Sequence, residues 1–184
     1  MKQCFLVSFV ILASLPLEAQ FDTSLLSKNI YAGEDSIIAL FKRKDWKTYA
    51  NYMNPVIIKM LGGKEEFVKT MQDLKILDQT DIQEYKTGKI LQLTKTKNEY
   101  QCIVETFMQM EMSGTLVSGS SYDIGISSDG NTWKFFRIEE TITPAQIRQL
   151  LPNLNPDFKL PKTQRLMGKT LDEFMTTYVL GYLE

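Results

Sequence analysis

From about Asp81 the apolar residues stop recurring every three to four positions and recur every second position, through four segments separated by turn signals. The segments span roughly 83–95, 99–112, 116–127 and 132–140. Short connections between alternating strands leave one simple topology, an antiparallel meander. Asp129-Gly130 is a strong two-residue hairpin signal, and it predicts Ile126 opposite Trp133, Ile124 opposite Phe135 and Tyr122 opposite Arg137. A Lys97-Asn98 turn predicts Leu93 opposite Cys102 and Leu91 opposite Val104. An odd loop, Ser113-Gly114-Thr115, would set Met112 opposite Leu116 and Val104 opposite Ile124. With those registers one face collects Leu91, Leu93, Cys102, Val104, Ile124, Ile126, Trp133 and Phe135, together with Tyr100 and Met108, Met110 and Met112. The other face alternates Ile103, Phe107, Val117, Phe136 and Ile138 with Gln101, Glu105, Gln109 and Glu111. It is too apolar to be bare, so the C-terminal segment or a second copy is expected to cover part of it.

Helical spacing precedes the strands. Ile30, Ile37, Ile38 and Phe41 form one stripe, and Asp45 caps a second helix carrying Trp46, Tyr49, Ala50 and Met53, which Asn54-Pro55 ends. After Gly62-Gly63 a third helix carries Phe67, Met71 and Leu74. Beyond the strands, Thr143-Pro144 starts a short helix through Leu151. Pro152, Pro156 and Pro161 then mark an extended stretch expected to wrap over the surface. Thr170 and Glu173 form a capping box ahead of a stripe of Leu171, Phe174, Met175, Tyr178 and Tyr182.

Composition narrows the chemistry. Histidine is absent from all 184 residues, which excludes histidine-based triads and the commonest zinc sites. A net charge of −1 argues against a nucleic-acid binder. Lys2, an apolar run from Phe5 to Leu15 and a small residue at Ala19 fit a secretory signal peptide cut after Ala19 or Gln20. That predicts a secreted or periplasmic protein with no membrane span in its mature chain. Only Cys102 would survive cleavage, as a buried, inert thiol. The expected organisation is a signal peptide over 1–20, an α+β domain over 21–140 and a helical extension over 141–184, packed on the domain or a partner.

Helices followed by a meander, with Ile37-Ile38-Ala39-Leu40-Phe41, Asp45-Trp46, Gly62-Gly63 leading to Phe67, and the closing stretch Ser127 to Trp133, resemble the nuclear-transport-factor-two-like superfamily. Ketosteroid isomerase and scytalone dehydratase belong to it as well. The resemblance covers Ala32 to Glu140. It implies a cystatin-like cone, in which helices pack on a curved four-stranded antiparallel meander and enclose a pocket, while the outer sheet face commonly serves dimerisation. Many bacterial members are exported binding or accessory domains. Fold likeness alone does not carry function across. Ser127 to Trp133 also resembles the Asp-box of sialidase-type propellers, but one residue short and in a single copy, as expected of a hairpin turn.

Within such a cone Tyr100, Met108, Met110, Tyr122, Phe135, Arg137 and Glu139 are the expected ligand-binding residues, with methionines and aromatics as an adaptable lining. The expected function is an exported, non-catalytic binding or accessory domain for a small apolar ligand or a protein partner. One alternative is an isomerase or dehydratase, with Tyr122, Arg137 and Glu139 clustered about a polar group. Another is a structural module of the cell envelope that dimerises through the outer sheet face or the C-terminal helix. No catalytic residue, metal site or cofactor is expected, since neither Cys-x-x-Cys nor a phosphate-cradling loop is present.

Overall fold

A computed structural model describes residues 22–74, 77, 80–112, 115–138 and 141–162. Asp22 caps the first helix, α1 (Thr23–Lys42), its carboxylate accepting from the Ser24 and Leu25 amides. Asp45 caps a single turn, α2 (Trp46–Tyr49). The second helix was expected to run on to Met53, but Asn51 and Tyr52 form a turn and Met53 makes a parallel bridge to Phe135 instead. The Asn54 amide donates to the Phe135 carbonyl at 2.8 Å, and the Phe135 amide donates to that of Tyr52 at 2.8 Å. Asn54-Pro55 therefore opens a helix rather than merely ending one, α3 (Pro55–Met60), with proline at its first turn and the Asn54 side chain as cap. Gly62 and Gly63 take φ of 82° and 107°, a conformation open to glycine, and turn the chain into α4 (Lys64–Asp73).

Four antiparallel strands follow in meander order, β1 (Thr80–Lys95), β2 (Tyr100–Met112), β3 (Thr115–Ser127) and β4 (Lys134–Ile138). A short helix, α5 (Pro144–Leu150), follows the sheet, with the reciprocal Thr143–Gln146 capping box in place. The protein is thus α+β, with its helices ahead of a four-stranded antiparallel sheet. Among the described residues, no helix is long and apolar enough to cross a membrane. The stripe from Leu171 to Tyr182 lies outside the described residues.

The registers correct the sequence reading in part at the first hairpin and throughout at the other two. Leu93 does pair with Cys102 across the Lys97-Asn98 turn. Bulges near Thr87 and Ile90 then put Ile90, not Leu91, opposite Val104, and Leu91 is 44% exposed. Met112 pairs with Thr115, so the second connection has two residues rather than three, and Val104 faces Asp123 while Ile103 faces Ile124. At the third hairpin Ile126 pairs with Lys134, Ile124 with Phe136 and Asp123 with Arg137. The cause there is the Asp129 carboxylate. It accepts from the Asn131 and Thr132 amides and the Ser127 hydroxyl, and so lengthens the turn by one residue. Those bonds pull the Asp129 pKa down to about 2. Each one-residue change reverses which side chains face which way.

The inner face, toward α1, carries Cys102, Val104, Met108, Met110, Asp123, Phe135 and Arg137. Helix α1 crosses it closely at Gly33, where an added Cβ would stand 2.9 Å from Cε2 of Phe135. The same ring lies against Gly125, whose own Cβ would be 2.6 Å from the Cys102 sulfur. The outer face carries Gln92, Gln101, Ile103, Ile124 and Phe136, and the last four of these are fully buried. The chain beyond α5 covers this part of it. Gln101 donates to the Asn153 carbonyl at 2.8 Å and accepts from the Asn155 amide at 2.8 Å. Gln92 holds Lys159 in the same reciprocal way, at 2.7 and 3.0 Å. Arg148 ties the loop shut by donating to the carbonyls of Asn155, Pro156 and Phe158.

Replacing Gln101 with Leu keeps volume but strands the Asn153 carbonyl and Asn155 amide. The expected result is a loss of about 2 kcal/mol of stability. Hydrogen exchange should accelerate over residues 151–160 while β2 and β3 stay protected. Unchanged exchange in that segment would show that the amide clip does not hold it.

Candidate functional site

An ionic cluster lies between α1 and the inner sheet face. Arg137 donates from Nε to Oδ1 of Asp123 at 3.1 Å and from Nη2 to Oδ2 at 2.8 Å, a two-point pairing. Nη2 also donates to the Tyr85 hydroxyl at 2.5 Å, and the guanidinium lies 5.6 Å from the centre of that ring. The Asp123 side chain is 3% exposed and that of Arg137 19%. Burial works against the Arg137 charge, yet the adjoining Asp123 carboxylate outweighs it and holds the guanidinium protonated more firmly than usual. Burial pushes the Tyr85 phenol well above its ordinary range, so it stays neutral.

Glu34 completes the cluster from above. Gly33 brings α1 down onto Phe135, and the next residue enters the interior completely buried. Neither carboxyl oxygen has a hydrogen-bond partner. Burial first, and the Asp123 charge second, raise the Glu34 pKa well above the usual carboxylate range, only partly offset by Arg137. The surroundings of Glu34 thus favour the protonated acid near the Asp123–Arg137 pair. The Cys102 thiol, buried nearby, is also pushed up, by desolvation first and then by Glu34, and is unreactive.

An aromatic chain links this cluster to an opening at one end of the inner face. Phe41 meets the Tyr85 ring edge-on at 5.8 Å and Trp46 at 5.4 Å. Beyond them Phe41, Trp46, Leu77, Ile82 and Met110 line a pocket of about 250 Å³, with Lys42, Lys44, Thr80 and Asp81 completing its wall.

The expected binding residues separate. Met108, Met110, Phe135 and Arg137 share the inner face, the first three deeply buried, and Met110 alone of these lines the pocket. Tyr100 is on the same face but at the far end, half-buried, with Lys95 Nζ 5.1 Å from its ring centre. Tyr122 stands opposite Ile138 rather than Arg137, on the outer face, because of the longer Asp129 turn. Glu139 lies outside the described residues. Sequence reasoning missed Glu34, Tyr85 and Asp123. For Glu34 a signal existed, since it lies four positions after Ile30 and three and four before Ile37 and Ile38, an acid within an apolar stripe. No protein-family model matches the chain, and no curated protein matches it either.

Because burial raises the Glu34 pKa in the fold, its contribution has a definite sign with pH. The unfolded chain ionises it as pH rises past its ordinary 4.5, while the folded protein resists, so stability present at lower pH is lost as pH rises toward the folded pKa. Glu34→Gln, a neutral near-isostere, is expected to match the parent's urea midpoint at pH 4 and to exceed it at pH 8. Equal midpoints at both values would mean that Glu34 ionises freely in the folded protein.

Proposed function

We propose that this chain is an exported, non-catalytic binding domain of the nuclear-transport-factor-two-like type, and that the pocket beside Phe41 takes a small apolar ligand. The observation that carries this reading is the pocket's make-up, in which the apolar side chains Phe41, Trp46, Leu77, Ile82 and Met110 meet Lys42, Lys44, Thr80 and Asp81. Its size, about 250 Å³, suits a ligand below the drug-sized range. Met110 adds an adaptable, polarisable wall. The signal-like N-terminus supports export.

One observation favours a second reading, a proton-transferring isomerase or dehydratase. Glu34 is a carboxylic acid with a raised pKa next to Asp123, Arg137 and Tyr85. A substrate would have to pass Phe41 and Tyr85 to reach it, which makes binding without chemistry the stronger reading. Dimerisation through the outer sheet face has less support, because the segment following α5 already occupies part of that face.

Titration with 8-anilinonaphthalene-1-sulfonate, followed by its fluorescence and by quenching of Trp46, tests the pocket. Ile82→Trp, at a half-buried position, should fill it and weaken the dye at least about tenfold with the fold intact. Glu34→Gln should leave dye affinity unchanged. Equal binding by Ile82→Trp and the parent would overturn the assignment.

A further inference from the structure

We propose that a second site, a groove distinct from the pocket beside Phe41, binds a neutral pyranoside. It lies between α1, the turn after α2 and the β3–β4 hairpin, and has a volume of about 490 Å³, within the roughly 300–1,000 Å³ typical of small-molecule sites.

Its charge balance selects the ligand class. The chain is 23% charged, yet among the described residues lining the groove only Lys134 carries a charge. That ammonium is already engaged, donating to the Asn51 carbonyl. Without a carboxylate the groove has nothing to hold a cation, and without an uncommitted cation it has little for a phosphate or carboxylate.

What it offers instead is a set of amides fixed in orientation. Asn29 Nδ2 donates to the Gly130 carbonyl at 3.0 Å and to Asn131 Oδ1 at 3.1 Å. Both donors of Asn29 are thereby used, leaving its oxygen as acceptor and the Asn131 nitrogen as donor. Asn51 Oδ1 accepts from Lys64 Nζ at 2.7 Å, so its nitrogen is the remaining donor. Two donors and an acceptor held on a common rim match hydroxyls, each of which both donates and accepts. Ser36 and Thr48 add hydroxyls along the same rim.

An aromatic ring supplies the complementary half. Ala32, Gly33, Tyr52 and Trp133 also line the groove; the Trp133 indole is nearly buried, its Nε1 donating to the Gly130 carbonyl at 3.1 Å, and Tyr52 is the half-buried ring that the groove offers. A pyranose ring has equatorial hydroxyls around its edge and C–H groups on its faces. Side-chain amides beside the Tyr52 ring fit both. The groove is open, so each hydrogen bond replaces one to water, and millimolar affinity is the expected scale.

The test is a ¹⁵N–¹H correlation titration of the full mature chain with cellobiose, N,N′-diacetylchitobiose and methyl α-mannopyranoside. Sorbitol and succinate serve as open-chain and anionic comparisons. At least one pyranoside should shift the Trp133 indole and the Asn29, Asn51 and Asn131 side-chain amides saturably, leaving the Trp46 indole in place. Asn131→Ala keeps the backbone amide that Asp129 accepts from, and should weaken that ligand about tenfold with an unchanged thermal melt. Three outcomes would overturn the proposal: no response to any pyranoside at about 50 mM, equal response to sorbitol or succinate, or unaltered affinity in Asn131→Ala.

Discussion

The buried pairing of Asp123 with Arg137 constrains everything around it. Two charges are out of bulk water between a helix and a sheet, and their attraction offsets desolvation only because the guanidinium meets both carboxylate oxygens. That requires β3 and β4 to be in one register, the one in which Asp123 and Arg137 are direct cross-strand neighbours. The same register faces Gly125 with Phe135 and so makes room for the ring against which α1 packs at Gly33. Helix position, strand register and ion pair therefore stand or fall together. The same environment disfavours a charge on Glu34, since a second carboxylate near Asp123 would be both desolvated and repelled.

Much of the fold was legible in the sequence. The change of period at Asp81, the caps at Asp45 and Thr143, and the Lys97-Asn98 turn all lead to elements the structure contains. The register beyond β2 was not legible, for a physical reason. Alternation identifies a face only when the other face is wet, and here residues 151–160 bury Ile103, Ile124 and Phe136 on the side expected to be mixed. With Phe135 buried inward and Phe136 outward, pattern alone cannot choose between neighbouring registers. The decision rests with the Asp129 side chain, which captures its local amides and adds a residue to the turn. Because Asp123 was assigned to the wrong face, its partnership with Arg137 was hidden, and Tyr122 took its place in the expected site.

The two faces divide the work. The outer face is closed by glutamine side chains that pair with backbone as another strand would, an economical way to fasten an irregular segment without burying unsatisfied amides. The inner face keeps its polar cluster beneath aromatic rings and opens where Phe41, Ile82 and Met110 meet. The ion pair thus specifies the architecture.

A double-mutant cycle on Asp123→Asn and Arg137→Met, followed by urea denaturation, tests this account most directly. Removing either partner alone leaves the other buried and unpaired, so each single change should be costly and the two together far less than their sum. A coupling of about 2 kcal/mol or more is expected. Additivity within about 0.5 kcal/mol would contradict the pairing, and with it the register from which the rest of the structure follows.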